Sequence, residues 1–163
     1  MPSKLSTTIS KIPTIPNTTN SSLISEFHEY MKANSASERH QNNSLKTVIA
    51  FAFFIGKDVN FYDIKSKQQI CSFLDTKIKN QEEDPDKRWI TTWNYYLVHL
   101  KRFFRWLHNC HVSSSGDNTE DKREKIQALS LAKECYSMKL DLLTNATVVD
   151  DAIRLYLLRP KRS

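Results

Sequence analysis

The residues best suited to chemistry are concentrated between positions 86 and 111. This segment contains several lysines and arginines but only one acidic residue, Asp86. The basic residues are interspersed with tryptophan and tyrosine. Helical positions three or four residues apart share a face, so one flank would carry Arg88, Thr91, Thr92, Tyr95, His99 and Arg102. Cations neutralise phosphates, and hydroxyl groups hydrogen-bond to them. The segment favours nucleic-acid binding; the alternative is the solvated side of an amphipathic helix.

Two other groups of residues have the types used in catalysis or metal binding. His99 and Arg102 spell His-x-x-Arg within a helical segment. The close trio His108, Cys110 and His111 has intervals that match no standard zinc-ligand spacing. The three cysteines are an odd number without a Cys-x-x-Cys pair, which indicates free thiols in a reducing compartment. We therefore expect no metal and no cofactor.

The elements that position these residues are predicted to be helices. The chain of 163 residues has only two glycines, Gly56 and Gly116, too few for glycine-cradled phosphates or many tight turns. Apolar residues at helical spacing predict four helices, with Gly56 ending the second. They are expected from Ser22 to about residue 34, from residue 37 to Ile55, over residues 65–79 and over residues 91–108. The linker before the third should bury Phe61 and Ile64, with Asp63 as its cap.

The flanking segments have a different composition. Residues 1–21 are rich in Ser, Thr and Pro and are predicted to be a flexible tail. Residues 22–111 are predicted to form the main bundle, and the polar residues 112–120 to be a linker. Residues 121–163 are predicted to form a helical hairpin with a basic end. Packing of this hairpin on the bundle is favoured over pairing with another copy.

The net charge and the hydropathy of the whole chain indicate its partners and its location. The formal charge of +6 is typical of a protein that meets a polyanion. The longest apolar run, from Val48 to Ile55, is far short of the ~18 residues that span a bilayer, and no apolar signal core is present at the start. We expect no membrane partner and a cytoplasmic, nucleoid-associated location.

Residues 89–97 (WITTWNYYL) and 100–107 (LKRFFRWL) resemble the last helix of the core-binding, SAM-like domain of tyrosine recombinases, or phage-type integrases, of the archaeal kind. Residues 37–56 resemble the second helix of that family, with a Ser-led start and an Ile-Gly end. Residues 61–74 resemble its third helix. The resemblance covers about residues 22–109.

The resemblance implies a four-helix bundle that forms half of a clamp around double-stranded DNA, with the second and fourth helices facing the duplex. Lys101 and Arg102 cannot point the same way on a helix; helical geometry favours Arg102, and the family position favours Lys101. By position, the DNA-binding candidates are the cap region at Ser37 together with His40, Asn43, Lys46, Arg88, Thr91, Thr92, Tyr95, His99, Lys101, Arg102 and Arg105.

The same family cuts DNA with a tyrosine activated by arginines, a lysine and histidines in a separate catalytic domain. Such a domain needs about 150 residues, and we expect it to be absent here. His99 and Arg102 lie inside the core-binding helix, and Tyr136 and Tyr156 lie at core-compatible positions, so none is expected to be catalytic. The expected function is non-enzymatic binding of double-stranded DNA, alone, with another copy or with a full-length recombinase.

Two alternatives remain open on the sequence. The chain could be an all-helical protein-interaction or dimerisation module whose basic face meets an acidic partner. It could also be the DNA-clamp subunit of a recombinase that a separate catalytic chain completes in trans. Salt-dependent affinity for DNA would separate the first alternative from the expected function.

Overall fold

The computed structural model of the chain describes residues 3–78, 83, 86, 88–114 and 128–135, except for the side chains of residues 110–114. Every element in these ranges is helical, which confirms the prediction of an all-α protein. None of the described helices is long and apolar enough to cross a bilayer. The helices are α1 (Leu5–Ile9), α2 (Thr18–Ala33), α3 (Glu38–Ile55), α4 (Lys67–Asp75) and α5 (Trp89–Ser114), with 3-10 turns at Ile12–Thr14 and Phe61–Asp63 and a helical segment at 128–135.

Helix α2 begins at Thr18, earlier than the predicted start at Ser22, because polar side chains stabilise its first turn. The Asn17 side chain accepts a hydrogen bond from the Asn20 amide at 2.9 Å. Asn20 is fully buried, yet its amide group donates to the Val59 carbonyl and accepts from the Phe61 amide, both at 2.9 Å. A buried amide with these partners avoids the cost of desolvation. The hydropathy pattern could not predict these hydrogen bonds, because the partners are far apart in the sequence.

Helix α3 follows the predicted boundaries closely. The Ser37 side chain accepts from the His40 amide at 3.3 Å, as an N-cap should. The helix ends at Ile55, and Gly56 adopts a φ of 79°, a backbone region that glycine enters without a Cβ clash. The predicted stop at Gly56 is confirmed. Phe53 is exposed, although it is spaced at i+4 and i+8 from the buried Ile49 and Leu45, where helical periodicity predicts an apolar stripe.

The linker before α4 buries Phe61 and Ile64, as predicted. Asp63, however, does not cap α4. Its carboxylate accepts from the Asn60 amide at 3.4 Å, whereas the Ser66 side chain accepts from the Gln68 amide at 3.2 Å and is the true N-cap. The cap therefore lies three residues later than predicted, and α4 is shorter than the expected helix over residues 65–79.

Helix α5 contacts α2, α3 and α4 and supplies much of the core. Aromatic rings hold the helices together: the Phe103 ring lies 5.2 Å from Phe27 of α2 and 4.8 Å from Phe61, and Phe51 of α3 lies 5.1 Å from Phe73 of α4, all edge to face. Each buried ring contributes about 1.5–3 kcal/mol. The predicted apolar face of this helix is buried at Trp93, Leu97, Leu100, Phe103, Phe104 and Leu107.

The first residues differ from the predicted flexible tail over 1–21. Helix α1 lies against α3, and the Thr8 hydroxyl donates to the Asn42 side chain at 2.6 Å. Ile12 and Ile15 are both 4% exposed. Their burial offsets the ordering entropy that the Ser- and Thr-rich composition alone could not. Most of this segment is thus part of the fold.

The boundary after the bundle also differs. Helix α5 runs through Ser114, so it covers the first residues of the predicted linker 112–120. Residues 128–135 are helical and add Ala128, Leu131, Ala132 and Cys135 to the same core. This agrees with packing of the second unit on the bundle. The remainder of the predicted hairpin over 121–163 lies outside the described residues.

Candidate nucleic-acid interface

One side of α5 presents a continuous exposed stripe. Its members are three or four residues apart, so they share a face of the helix. The stripe contains two arginines, one tyrosine and one threonine, and Val98 is 51% exposed within it. The exposed residues are Thr91, Tyr95, Val98, Arg102, Arg105 and Asn109. Helix α3 lies beside this stripe and contributes the neighbouring polar residues.

His99 lies at the inner edge of the stripe and joins α5 to α3. Its Nδ1 atom is 3.0 Å from the Ser44 hydroxyl, and both residues are buried. Burial is the main cause that lowers the pKa of His99 to about 4, and the charge of Arg102 and the nearby His40 ring act in the same direction. The ring is therefore neutral near pH 7. It is predicted on the DNA-binding face, but at 7% exposure it acts as a bridge between helices.

His40 and Arg102 form a second link between the two helices. One terminal guanidinium nitrogen of Arg102 lies 2.8 Å from Nε2 and 3.1 Å from Nδ1 of His40. Partial burial and the charge of Arg102 lower the pKa of His40, which favours a neutral ring against the guanidinium. The histidine thus holds an exposed guanidinium in place. This restricts one rotamer-rich cation before any ligand arrives.

A cleft of about 270 Å³ opens beside this pair, between the end of α2, the start of α3 and the last part of α5. Its wall combines guanidinium, imidazole and amide groups with aromatic rings, and it includes no carboxylate. Tyr30 at its edge is 47% exposed. The lining residues are Phe27, Tyr30, Met31, Asn34, Ala36, His40, Arg102, Arg105, Trp106 and Asn109. A cleft of this chemistry suits an anionic group.

Lys101 and Arg102 point to different sides of α5. Burial lowers the pKa of Lys101, and the neighbouring charges of Lys133 and Arg105 act in the same direction. Lys101 thus lies near the helical segment 128–135, whereas Arg102 contacts His40 of α3. The structure separates the two cations as helical geometry requires, and it leaves Lys101 outside the cluster formed with α3.

The other residues predicted to bind DNA differ in how exposed their side chains are. Arg88 precedes α5, and its guanidinium lies 3.2 Å from the carboxylate of Asp86. Both side chains are largely exposed, so this ion pair contributes little stability. Thr91 is exposed, and Thr92, Asn43 and Lys46 are half-buried. Of the predicted residues, the structure brings His40, Tyr95, His99 and Arg102 into contact with one another.

Sequence reasoning missed two residues of α3. Ser44 is one helical turn beyond His40, a polar residue inside an apolar stripe, and that spacing was the available signal. Arg39 is exposed at the start of α3. Burial and Tyr96 raise the pKa of Tyr95, and the positive charge of Arg39 opposes that shift. Arg39 therefore adds a cation within electrostatic range of the stripe.

Metal chemistry has little support in the described part of the chain. Among those residues, no group of three histidine, cysteine or acidic side chains could hold a metal ion. The side chains of Cys110 and His111 lie outside the description, as do Tyr136 and Tyr156. The His-x-x-Arg letters at His99 and Arg102 belong to two separate contacts with α3, one to Ser44 and one to His40.

No family model, no curated protein and no solved structure matches this chain. The chemistry of the α3–α5 face is therefore inferred from its own geometry and charge. On that face, Arg102 contacts His40 within an exposed row of residues and lies next to a cleft without carboxylates.

Proposed function

We propose that this chain binds double-stranded DNA through α3 and α5, without cutting it, in the manner of a tyrosine-recombinase core-binding domain with a SAM-like bundle. The observation that carries the proposal is the Arg102 guanidinium, fixed by His40 beside Arg105 on the exposed stripe. The net charge of +6 acts in the same direction. Such a module would work with another copy or with a full-length recombinase, in contact with the nucleoid.

Phosphate contacts account for the binding energy in this proposal. Each cation that neutralises a phosphate releases counterions, so affinity falls with salt with a slope of about 0.9 per contact. Arg102 is already restrained by His40, which reduces the side-chain entropy lost on binding. The hydroxyl groups of Thr91 and Tyr95 add hydrogen bonds that position the duplex. Arg39 and Arg105 extend the positive surface on either side.

His99 makes no contact with phosphate in this proposal. Its ring is buried against Ser44 and its pKa is lowered to about 4. A group that is neutral and closed off from solvent cannot stabilise a phosphate in the transition state as an exposed cation would. In this proposal His99 keeps α3 and α5 in register and leaves the phosphate contacts to the arginines.

The proposal is tested by fluorescence anisotropy with a mixed-sequence duplex of about 30 bp at several salt concentrations. The parent should bind, with affinity that falls steeply as salt rises. Arg102→Ala with Arg105→Ala should weaken binding by about 1–3 kcal/mol and reduce the salt slope by about 2. Circular dichroism should show an unchanged helical content.

A matched control removes the same charge elsewhere. Lys57→Ala with Lys65→Ala alters two exposed cations in the linker between α3 and α4, and it should reduce affinity much less than the arginine pair. Equal losses from both double variants would indicate a diffuse charge effect and not this face. Absence of duplex binding at low salt would favour the protein-interaction alternative, with an acidic partner on the same surface.

A further inference from the structure

Two cysteines that are distant in sequence meet in the core. Cys71 belongs to α4, and Cys135, 64 positions later in the sequence, ends the described segment 128–135. Their Sγ atoms are 2.7 Å apart, and the residues are 3% and 0% exposed. Both are free thiols. Their juxtaposition was not foreseen from sequence.

The surrounding contacts hold the two thiols together. The Cys135 thiol also lies 3.6 Å from the backbone carbonyl of Lys67, and the Lys67 ammonium is 3.9 Å from the carboxylate of Glu134. Ala128, Leu131 and Ala132 are buried in the same core. The segment is thus fixed beside α4 by apolar packing, an ion pair and a thiol contact, so the sulfur atoms start close to bonding range.

We propose that Cys71 and Cys135 are a covalent modification site, at which exchange with a small-molecule disulfide joins the segment 128–135 to α4. Burial and the hydrogen bond with Cys71 raise the pKa of Cys135 well above its ordinary value. A protonated thiol is a poor nucleophile. Cys71, the slightly more exposed of the two, is therefore the first to react, when the segment opens locally.

The exchange balances without any further reactant. The Cys71 thiolate attacks one sulfur of the oxidant, whose S–S bond breaks, and the released thiolate takes up the proton that Cys71 lost. Cys135 then attacks the Cys71 sulfur in the mixed disulfide. The second small thiol leaves with the proton of Cys135. The protein loses two protons and two electrons in all, and the oxidant gains them as it becomes two thiols.

The disulfide would close a long loop and restrict the unfolded chain, which stabilises the folded state. It would act on the side of α5 that carries Lys101, because Cys135 and Lys133 are the neighbours of that lysine. Arg102 and His40 lie on the α3 side. The bond would therefore stabilise the core without covering the exposed stripe.

The test uses the full chain with Cys110→Ser, so that Cys71 and Cys135 are the only thiols. After incubation with glutathione disulfide, both thiols should disappear from thiol titration, and mass spectrometry should find one peptide pair linked through Cys71 and Cys135. The melting temperature should rise by about 5–10 °C. Dithiothreitol should reverse both changes.

The matched control adds Cys71→Ser to the same background. It should yield only a glutathione adduct on Cys135 or no reaction, without a rise in melting temperature. The proposal would be overturned if the two-cysteine protein kept both thiols in excess oxidant, or if it formed only glutathione adducts. A linked species with an unchanged or lower melting temperature would also overturn it, since the bond would then not fit the folded state.

Discussion

His99 shows how the surroundings of a residue decide its role. A histidine on a basic helical flank is suited by type to a phosphate or a base edge. In the structure its ring is buried, 3.0 Å from the Ser44 hydroxyl, with the Tyr95 ring 4.6 Å away. Burial, assisted by Arg102 and His40, lowers its pKa to about 4. The residue thus stabilises the helix pair that presents Arg102.

The lowered pKa of His99 predicts that acid destabilises the fold. In the unfolded chain this ring takes up a proton near pH 6.5, whereas in the folded chain it does so only near pH 4. Between these values the unfolded state binds more protons, so stability is complete above pH 6.5 and decreases as pH falls. We expect a loss of about 1–2 kcal/mol between pH 7 and about pH 5, measured by urea unfolding.

His99→Gln separates this effect from the titration of carboxylates. The glutamine variant keeps a polar group near Ser44 but cannot take up the proton. It is expected to start less stable than the parent and to lose less stability on acidification. If the parent and the variant respond alike to pH, the buried neutral histidine does not control the acid response.

Helix α5 has one buried face and one exposed face. One row of residues is buried in the core, and Leu100 is fully buried within it. The other row is exposed and carries Tyr95, Arg102 and Arg105. Because both rows follow the same helical repeat, packing of the first sets the direction of the second. The register of this one helix therefore determines the candidate DNA-binding surface.

Leu100→Ala tests this register. Removal of a fully buried leucine side chain should lower the free energy of unfolding by about 2–5 kcal/mol, through lost burial and a cavity. Val98→Ala is the matched control, because Val98 lies two residues away and is 51% exposed. Its effect on stability should be within about 0.5 kcal/mol. Similar melting curves for both variants would show that the register is wrong.

At the scale of the whole molecule, the described segments share one core. Ile12 near the start, Phe51 of α3, Phe103 of α5 and Leu131 in the segment 128–135 belong to the same cluster of buried residues. The expected tail and part of the expected hairpin therefore share the core of the bundle in the described residues. Segments that the hydropathy pattern separates pack into one core, so we expect them to unfold in a single cooperative transition.

Ile12→Ala tests whether the first residues belong to the cooperative fold. Ile12 is 4% exposed, and its truncation should cost about 2–4 kcal/mol in urea unfolding. Lys11→Ala, at the exposed neighbouring position, should have almost no effect. If both variants unfold like the parent, residues 1–16 do not contribute to the core and the expectation of a flexible tail would stand.

The sequence by itself determined the helical class, the end of α3 at Gly56, the burial of Phe61 and Ile64, and the apolar row of α5. These features depend on local periodicity and on the steric freedom of glycine, which are properties of neighbouring residues. The helical repeat also placed Tyr95 and Arg102 on one flank of α5, because residues at steps of three or four share a helical face. His40, on α3, was assigned to the same surface only through the resemblance to the recombinase family.

Only the tertiary structure decided which polar residues are exposed and which are partners. The burial of His99 against Ser44, the contact of Cys71 with Cys135, and the attachment of Ile12 to the core each join residues that are far apart in sequence. Such pairings depend on how helices pack in three dimensions, and a single sequence carries no local signal for them. For the same reason the pKa of His99 could not be foreseen, because desolvation is a property of the folded neighbourhood.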